Sequence, residues 1–380
     1  MTLDLAAPVE VLAKALIDLP SVSGDEREIA DQVEAALRAC AHLEVTRLGN
    51  NVVARTTLGR AERVVVAGHL DTVPIASNVP GRWADDGATL WGRGAVDMKA
   101  GVAVQLSLAA ALTEPTRDVT WVLYDQEEVE ETRNGLGRVS RERPDLLQAD
   151  FAVLGEPTGG VIEGGCNGTL RVDVTVQGKA AHSARSWKGV NAIHHAAPLL
   201  QALEEYEAET IEVDGLKYRE GLNAVGISGG IAGNVIPDSV TVTLNYRFSP
   251  AWPLEEAKER VEKFVQAAFT AHPETLERWQ AAPDELALVY SLVWTDEAQA
   301  CRPGLDAPLA RSFAAAVEAT GAESPRAKLG WTDVARFGVL GIPAVNYGPG
   351  DPELAHADDE RCAVSQIREV RAGLEAWLTS

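Results

Sequence analysis

The sequence predicts an α/β protein, a mainly parallel mixed sheet flanked by helices, with a smaller α+β segment inserted into it. Three observations carry this. The runs "RVVVAG" and "FAVL" are short, apolar and partly β-branched, as in strands buried on both faces. They alternate with helical stretches, the order that builds parallel sheets through crossover helices. From about residue 169 the texture changes to alternating strands, then changes back. The boundaries read as 1–168 with 288–380 for the larger domain and 169–287 for the insert.

The elements follow in order. Residues 8–19 have apolar positions at helical spacing. Ser23-Gly-Asp-Glu26 has capping-box spacing and opens a second helix through about Ala39. "LEVTRLGNNVVARTT" reads as two strands about a Gly-Asn turn. "RVVVAG" is a strand, and "DMKAGVAVQLSLAAAL" is a helix rich in Ala and Leu. "VTWVLYDQEE" and "FAVLGEP" are strands ending in acids. In the insert, "TLRVDVTVQG" alternates and "NAIHHAAPLLQALEEYEA" is helical. "NAVGISGGI" and "SVTVTLNYRF" are strands, and "PLEEAKERVEKFVQAAFTA" is a helix. A helix at 308–320, the strand "PAVNYG" and a helix from about Ala363 complete the larger domain.

Composition narrows the class of function. The chain has 380 residues and a formal net charge of -22, from Asp+Glu 56 against Lys+Arg 34. Nucleic acid as a partner needs clustered Lys and Arg, so it is not expected. The four cysteines, Cys40, Cys166, Cys301 and Cys362, include no CxxC pair and read as a reduced, cytoplasmic set. The N-terminus lacks the basic and apolar blocks of a signal peptide, and no apolar run approaches a membrane span.

Chemistry-bearing residues stand where strands meet loops. His69 and Asp71 in "VVVAGHLDTVP" are two residues apart, hence on one side of an extended chain. A carboxylate beside an imidazole fixes the ring tautomer, which serves metal ligation or general-base work. Asp97 lies in the glycine-studded "WGRGAVDMKAG", Glu127 and Glu128 end "WVLYDQEE", Glu156 ends "FAVLGEP", and His356 sits in "YGPGDPELAHADDE". Each has an ordinary alternative. Asp97 could cap a helix, the Glu127–Glu128 run could be solvated surface, Glu156 could be a turn residue, and His356 could be a surface histidine. Together, imidazoles and carboxylates at several strand ends of one sheet suit a site for two divalent cations.

These motifs carry a resemblance. "GHLDTVP", "GRGAVDMKAG", "DQEE", "GEP", "GKAAHSA" and "AHADDE" resemble, in order and spacing, the zinc aminoacylase and carboxypeptidase family of metallopeptidases. The longer stretches "GCNGTLRVDVTVQGKAAHSARSWKGVNAIH" and "KLGWTDVARFGVLGIPAVNYGPGDPELAH" are similar to its desuccinylase branch, of actinobacterial type. The resemblance covers nearly the whole chain. It implies two divalent ions per subunit, zinc, with cobalt or manganese as alternatives at one site. His69 and Glu156 would bind one ion, Asp97 would bridge, and Glu128 and His356 would bind the other. Asp71 would orient His69, and Glu127 would be the general base. His182 in "AAHSA" would donate to the oxyanion and, in dimeric relatives, reaches the other subunit. The insert would thus be a lid and dimerisation domain. Arg247 matches a carboxylate binder, with Asn234, Arg185, Lys328 and Thr332 as further substrate contacts; His194 and His195 read as structural. Basic residues expected before the insert appear instead as "EGGCNG", with Glu163 and Cys166.

The implied reaction is removal of succinate from N-succinyl-LL-2,6-diaminopimelate, a small molecule, in lysine and diaminopimelate biosynthesis. An acetylornithine deacetylase-like or aminoacylase-like hydrolase keeps the chemistry and changes the acyl group. A binder without hydrolysis would be expected to have lost Glu127 or a ligand, and all are present. No GxGxxG follows a strand, so a nucleotide site is not expected.

Overall fold

The computed structural model describes residues 3–271 and 289–380. Its backbone divides into two compact units. The first runs to Gly165 and resumes at Arg302–Lys328 and Thr332–Ser380; the second is Cys166–Cys301 with Leu329–Trp331.

The first unit is built on an eight-stranded sheet. Its strand order is Glu44–Leu48, Asn51–Arg55, Asp118–Tyr124, Arg63–His69, Phe151–Leu154, Ala344–Asn346, Glu163–Gly164, Arg326–Ala327. The four strands at its centre, Asp118–Tyr124 through Ala344–Asn346, are mutually parallel. The first two strands form the expected hairpin across Gly49 and Asn50, antiparallel to their neighbour. Val64, Val65 and Val66 are fully buried, each stabilising the unit by about 1.5–3 kcal/mol relative to exposure. The helix Lys99–Ala111 has no polar face, only Lys99, Gln105 and Ser107 among apolar residues, and is buried from Lys99 to Ala109, as a helix enclosed by others must be. It packs against the helices Val9–Ile17 and Val364–Thr379 and the strand Arg63–His69. Parallel register aligns the carboxyl ends of the strands: His69 pairs with Tyr124, and Ala67 with Leu154. The candidate residues follow from these ends.

The second unit is a four-stranded antiparallel sheet, ordered Gly221–Gly229, Ser239–Phe248, Gly168–Gln177, Tyr290–Ala298. Alternate residues of its central strands, among them Val172, Val174, Val242 and Leu244, face a core shared with the helices Ala197–Glu204 and Leu254–Thr270. Cys166 and Cys301 exchange both backbone hydrogen bonds at 3.0 Å where the segment starts and ends.

Four expectations are revised. The strand Tyr290–Ala298 pairs with Gly168–Gln177, so the second unit continues to Cys301 and not to 287. The helix expected over "NAIHHAAPLLQALEEYEA" is two helices, Ala192–His195 and Ala197–Glu204, the second opening with Pro198 in its first turn. Ser23 does not cap the second helix: Glu26 is the cap residue, and the Ser23 hydroxyl donates to Asp71. The strand expected to run to Glu128 stops at Tyr124.

Candidate active site

Asp71 organises the site. The carboxylate is fully buried. Its Oδ2 accepts from the Ser23 hydroxyl at 2.7 Å and from Glu128 N at 3.1 Å, and its Oδ1 accepts from Glu127 N at 3.0 Å. Gln126 just before them has a left-handed φ of 56°, uncommon for a residue with a side chain. After this reversal the chain is pinned to Asp71, which is how two adjacent glutamates can both serve one site. The expected clamp on His69 comes from the same residue by another route. His69 Nδ1 sits 3.0 Å from the Asp71 carbonyl oxygen and 3.5 Å from its carboxylate. With Nδ1 donating to that carbonyl, Nε2 is left as the lone-pair nitrogen.

His69 Nε2 faces Asp97 Oδ1 at 3.0 Å, and Asp97 Oδ2 lies 3.4 Å from His356 Nε2. Asp97 is therefore not a helix cap: its two oxygens face two imidazoles. His356 Nε2 is also 3.0 Å from Glu128 Oε2. Donor atoms converge within 4.8 Å in three sets: His69, Asp97 and Glu156; Asp97, Glu128 and His356; His69, Glu127 and Glu128. Glu156 is placed by a close crossing. A Cβ on Gly348 would lie 2.4 Å from Glu156 O and 2.2 Å from Gly155 O, so only glycine passes there.

The charges of this cluster favour a cation. Burial pushes Glu127 well above the usual carboxylate range, and burial with the nearby Asp97 pushes Glu156 up to about 8. Burial opposes ionisation of Asp97 too, but hydrogen bonds from His356 and His69 outweigh it and hold it well below the ordinary value. His356 is pushed up to about 10 by its bonds to Asp97 and Glu128. An excess of carboxylates is thus crowded into a confined space where their negative charge is costly without a positive partner. Glu156 Oε1 is buried without a hydrogen-bond partner among the described residues, an expensive state unless something else fills it. The oxygen and nitrogen donor set, the bridging aspartate and this orphaned oxygen all fit divalent ions.

The expected substrate residues divide. Lys328 is buried, with Nζ 3.0 Å from Glu163 Oε2 and 3.0 Å from the Pro157 carbonyl. Arg326 is 2.9 Å from Glu163 Oε1 and donates to the Thr158 carbonyl. Glu163 in "EGGCNG" is thus the acid between two cations that hold the loop after Glu156. Thr332 donates to Asn346 Oδ1 at 2.9 Å. In the second unit His182 pairs with Val235, and Ser183 N donates to Asn234 O at 2.9 Å, so His182 and Asn234 lie together. Arg185 is exposed on the short helical turn that follows. Arg247 is exposed near the far end of the strand Ser239–Phe248, paired with Thr169 and Gly221. Eight residues separate it from the strand's start at Ser239, about 26 Å at the rise of a strand. Sequence reasoning missed Ser23, whose spacing to Glu26 imitated a capping box, and Glu360, which accepts from Asp97 N at 3.0 Å and stands four residues beyond His356.

The family model for "Peptidase family M20/M25/M40" matches residues 65–380. The chain belongs to this peptidase family. Among M20 relatives, a Corynebacterium glutamicum succinyl-diaminopimelate desuccinylase is 47% identical over 382 residues, 99% of this chain and 98% of its own. A Mycobacterium tuberculosis (H37Rv) relative, provisionally named as the same desuccinylase, is 53% identical over 361 residues, 95% of this chain and 94% of its own. Among solved structures, a Staphylococcus aureus tripeptidase aligns with a TM-score of 0.78 at 19% identity, covering 100% of this chain and 99% of its own. A Bacillus subtilis protein, titled a dinuclear metal binding peptidase of the M20 family, aligns at 0.71 and 15%, covering 99% and 98%. The last two likenesses concern the fold alone, and they agree with its mainly parallel central sheet. Among the described residues no helix of this M20 chain is long and apolar enough to cross a membrane.

Proposed function

We propose that this M20 hydrolase cleaves the amide of N-succinyl-LL-2,6-diaminopimelate, giving succinate and LL-2,6-diaminopimelate. The observation that carries the reading is the 47% identity, across nearly both whole chains, to a named succinyl-diaminopimelate desuccinylase. The convergence of His69, Asp97, Glu128, Glu156 and His356 supports the hydrolytic chemistry.

His69, Asp97 and Glu156 would hold one divalent ion and Asp97, Glu128 and His356 the other, zinc being the first choice for such a set. When bound, two such ions acidify a water and polarise the substrate carbonyl. Glu127 takes a proton from the attacking water. Its burial keeps it a stronger base than an exposed glutamate. Water oxygen adds to the amide carbon, the C–N bond breaks, and Glu127 returns the proton to the leaving nitrogen. Asp71 holds the Glu127 amide and, through its carbonyl, the His69 ring. His182 serves as donor to the oxyanion: its Nδ1 accepts from Ala184 N at 3.1 Å, which leaves the proton on Nε2.

Arg247 presents a planar fork suited to a substrate carboxylate. It stands at the opposite end of the sheet from His182 and Asn234. The reading takes a homodimer in which His182 and Asn234 serve the partner's site, the arrangement that the family resemblance implies. Lys328 and Thr332 are reassigned to holding the wall and the Glu156 loop, and Arg185 remains a substrate contact. A cytoplasmic location suits the reduced cysteines.

The test is release of succinate from N-succinyl-LL-2,6-diaminopimelate by zinc-reconstituted protein, beside acetate release from N-acetylornithine. Succinate release at least tenfold faster is expected. A preference for N-acetylornithine would replace this reading with the deacetylase one.

A further inference from the structure

We propose that the buried Arg93–Glu360 pair is a positioning device that sets the spacing between Asp97 and His356, and so creates the second metal position. The inference rests on the ligand assignment above.

Both side chains are nearly inaccessible, Arg93 at 3% and Glu360 at 1% exposure. Glu360 Oε1 accepts from Val96 N at 2.8 Å and Asp97 N at 3.0 Å, while Oε2 accepts from Arg93 Nη1 at 2.8 Å. Arg93 Nη1 also donates to the Ala357 carbonyl at 3.1 Å, and its Nε to the Pro74 carbonyl at 3.1 Å. Gly92 N donates to the Glu360 carbonyl at 3.0 Å. One ion pair therefore fastens three loops: the one after His69 and Asp71, the one before Asp97, and the one bearing His356. Each hydrogen bond to a charged group is shorter and stronger than a neutral one, so the fastening is stiff.

The His356 loop needs such fastening. His356 has a φ of 64°, the left-handed region, where a side chain is strained and persists only if its surroundings hold it. Its ring is also half-exposed, and its contacts to Asp97 and Glu128 are the polar ones that orient it among the described residues. Arg93 grips the carbonyl of Ala357, the residue after His356, and the same guanidinium holds the carboxylate that grips the Asp97 amide. His69 needs this device less. It ends a fully paired strand and is held by Asp71. The pair therefore acts unequally on the two metal positions.

The test is zinc binding to the metal-free full chain, by calorimetry or chelator competition. The reference is His356→Ala, which identifies the zinc equivalent that depends on His356. Glu360→Gln keeps the shape, but its single amide oxygen serves either the two peptide N–H groups or Arg93, not both. Arg93→Lys keeps the charge, but one ammonium cannot reach Pro74, Ala357 and Glu360 together. Both variants should weaken the His356-dependent equivalent about 10–100-fold, as loss of outer contacts to a metal site does. The other equivalent should stay within about threefold. Equal weakening of both, in step with a fall in the melting temperature of the metal-free protein, would overturn the proposal in favour of a general structural role. Unchanged binding of both would overturn it outright. If the unmodified chain bound fewer than two zinc ions, the ligand assignment itself would fail, a result distinct from either.

Discussion

At the scale of single residues, the site is a set of carboxylates told apart by what holds them. Glu127 and Glu128 are neighbours, yet among the described carboxylates it is Glu128 and Asp97 that lie 3.0 and 3.4 Å from His356 Nε2. Glu127 instead sits where burial raises its proton affinity. Glu127→Gln should keep both zinc ions and lose about 10²–10⁴-fold in kcat, the contribution of general-base work. His182→Ala, measured alongside, should keep both ions and lose about 10²-fold. Zinc loss in Glu127→Gln equal to that in His69→Ala would make Glu127 a ligand and not the base; unchanged kcat in His182→Ala would return that residue to its local bond with Ala184. The five acids and imidazoles proposed as ligands were legible in the sequence because each stands at a strand end or glycine-rich loop. What holds them was less legible. Ser23 and Asp71 meet across 48 residues, and no local pattern encodes that meeting.

At the scale of elements, strands that obey a period were read with their limits nearly right. Ser239–Phe248 matches its alternating run residue for residue. Tyr290–Ala298 alternates between half-buried and exposed, but its sequence "YSLVWTDEA" mixes apolar and polar types on both faces, so the period is faint. Element ends set by tertiary bonds were not legible either. The strand Asp118–Tyr124 begins at a buried carboxylate that accepts from Thr56 Oγ1 at 2.8 Å, Leu58 N at 2.8 Å and Arg60 N at 2.9 Å, closing the loop after Asn51–Arg55. Burial works against its charge, but these donors outweigh burial and lower its pKa below the ordinary 3.8. A carboxylate lowered by folding stabilises the fold above its unfolded pKa, and that contribution is lost as pH falls through the lowered value. Asp118→Asn should therefore cost about 1–3 kcal/mol near pH 7, and the gap to the unmodified protein should narrow below pH 3.8. Urea midpoints at both pH values check this. An equal gap at each would show that shape, and not charge, carries the effect.

At the scale of the whole molecule, a change of texture at residue 169 was enough to announce a second unit, because buried parallel strands and half-exposed antiparallel ones are written differently. Its far limit was set by one strand joining across the sheet, a long-range pairing that no local signal marks. The second unit has its own core, from Leu170 through Phe269 and Val289. The isolated segment 166–301 should therefore fold alone, with a cooperative thermal transition and a strand-rich circular dichroism spectrum. A broad, featureless melt would show that it depends on the rest of the chain.

The paired backbones of Cys166 and Cys301 have a consequence of another kind. Residues that exchange both hydrogen bonds stand about 5.5 Å apart, so 136 residues, from 166 to 301, begin and end at nearly one point. For the host sheet, this long cassette spans no more distance than a tight turn. Its length and content can drift or be exchanged while the loops that carry the acids stay where they are. Such an exchange would replace what the cassette itself carries, His182 and Arg247 included, and leave the carboxylates of the host sheet in place.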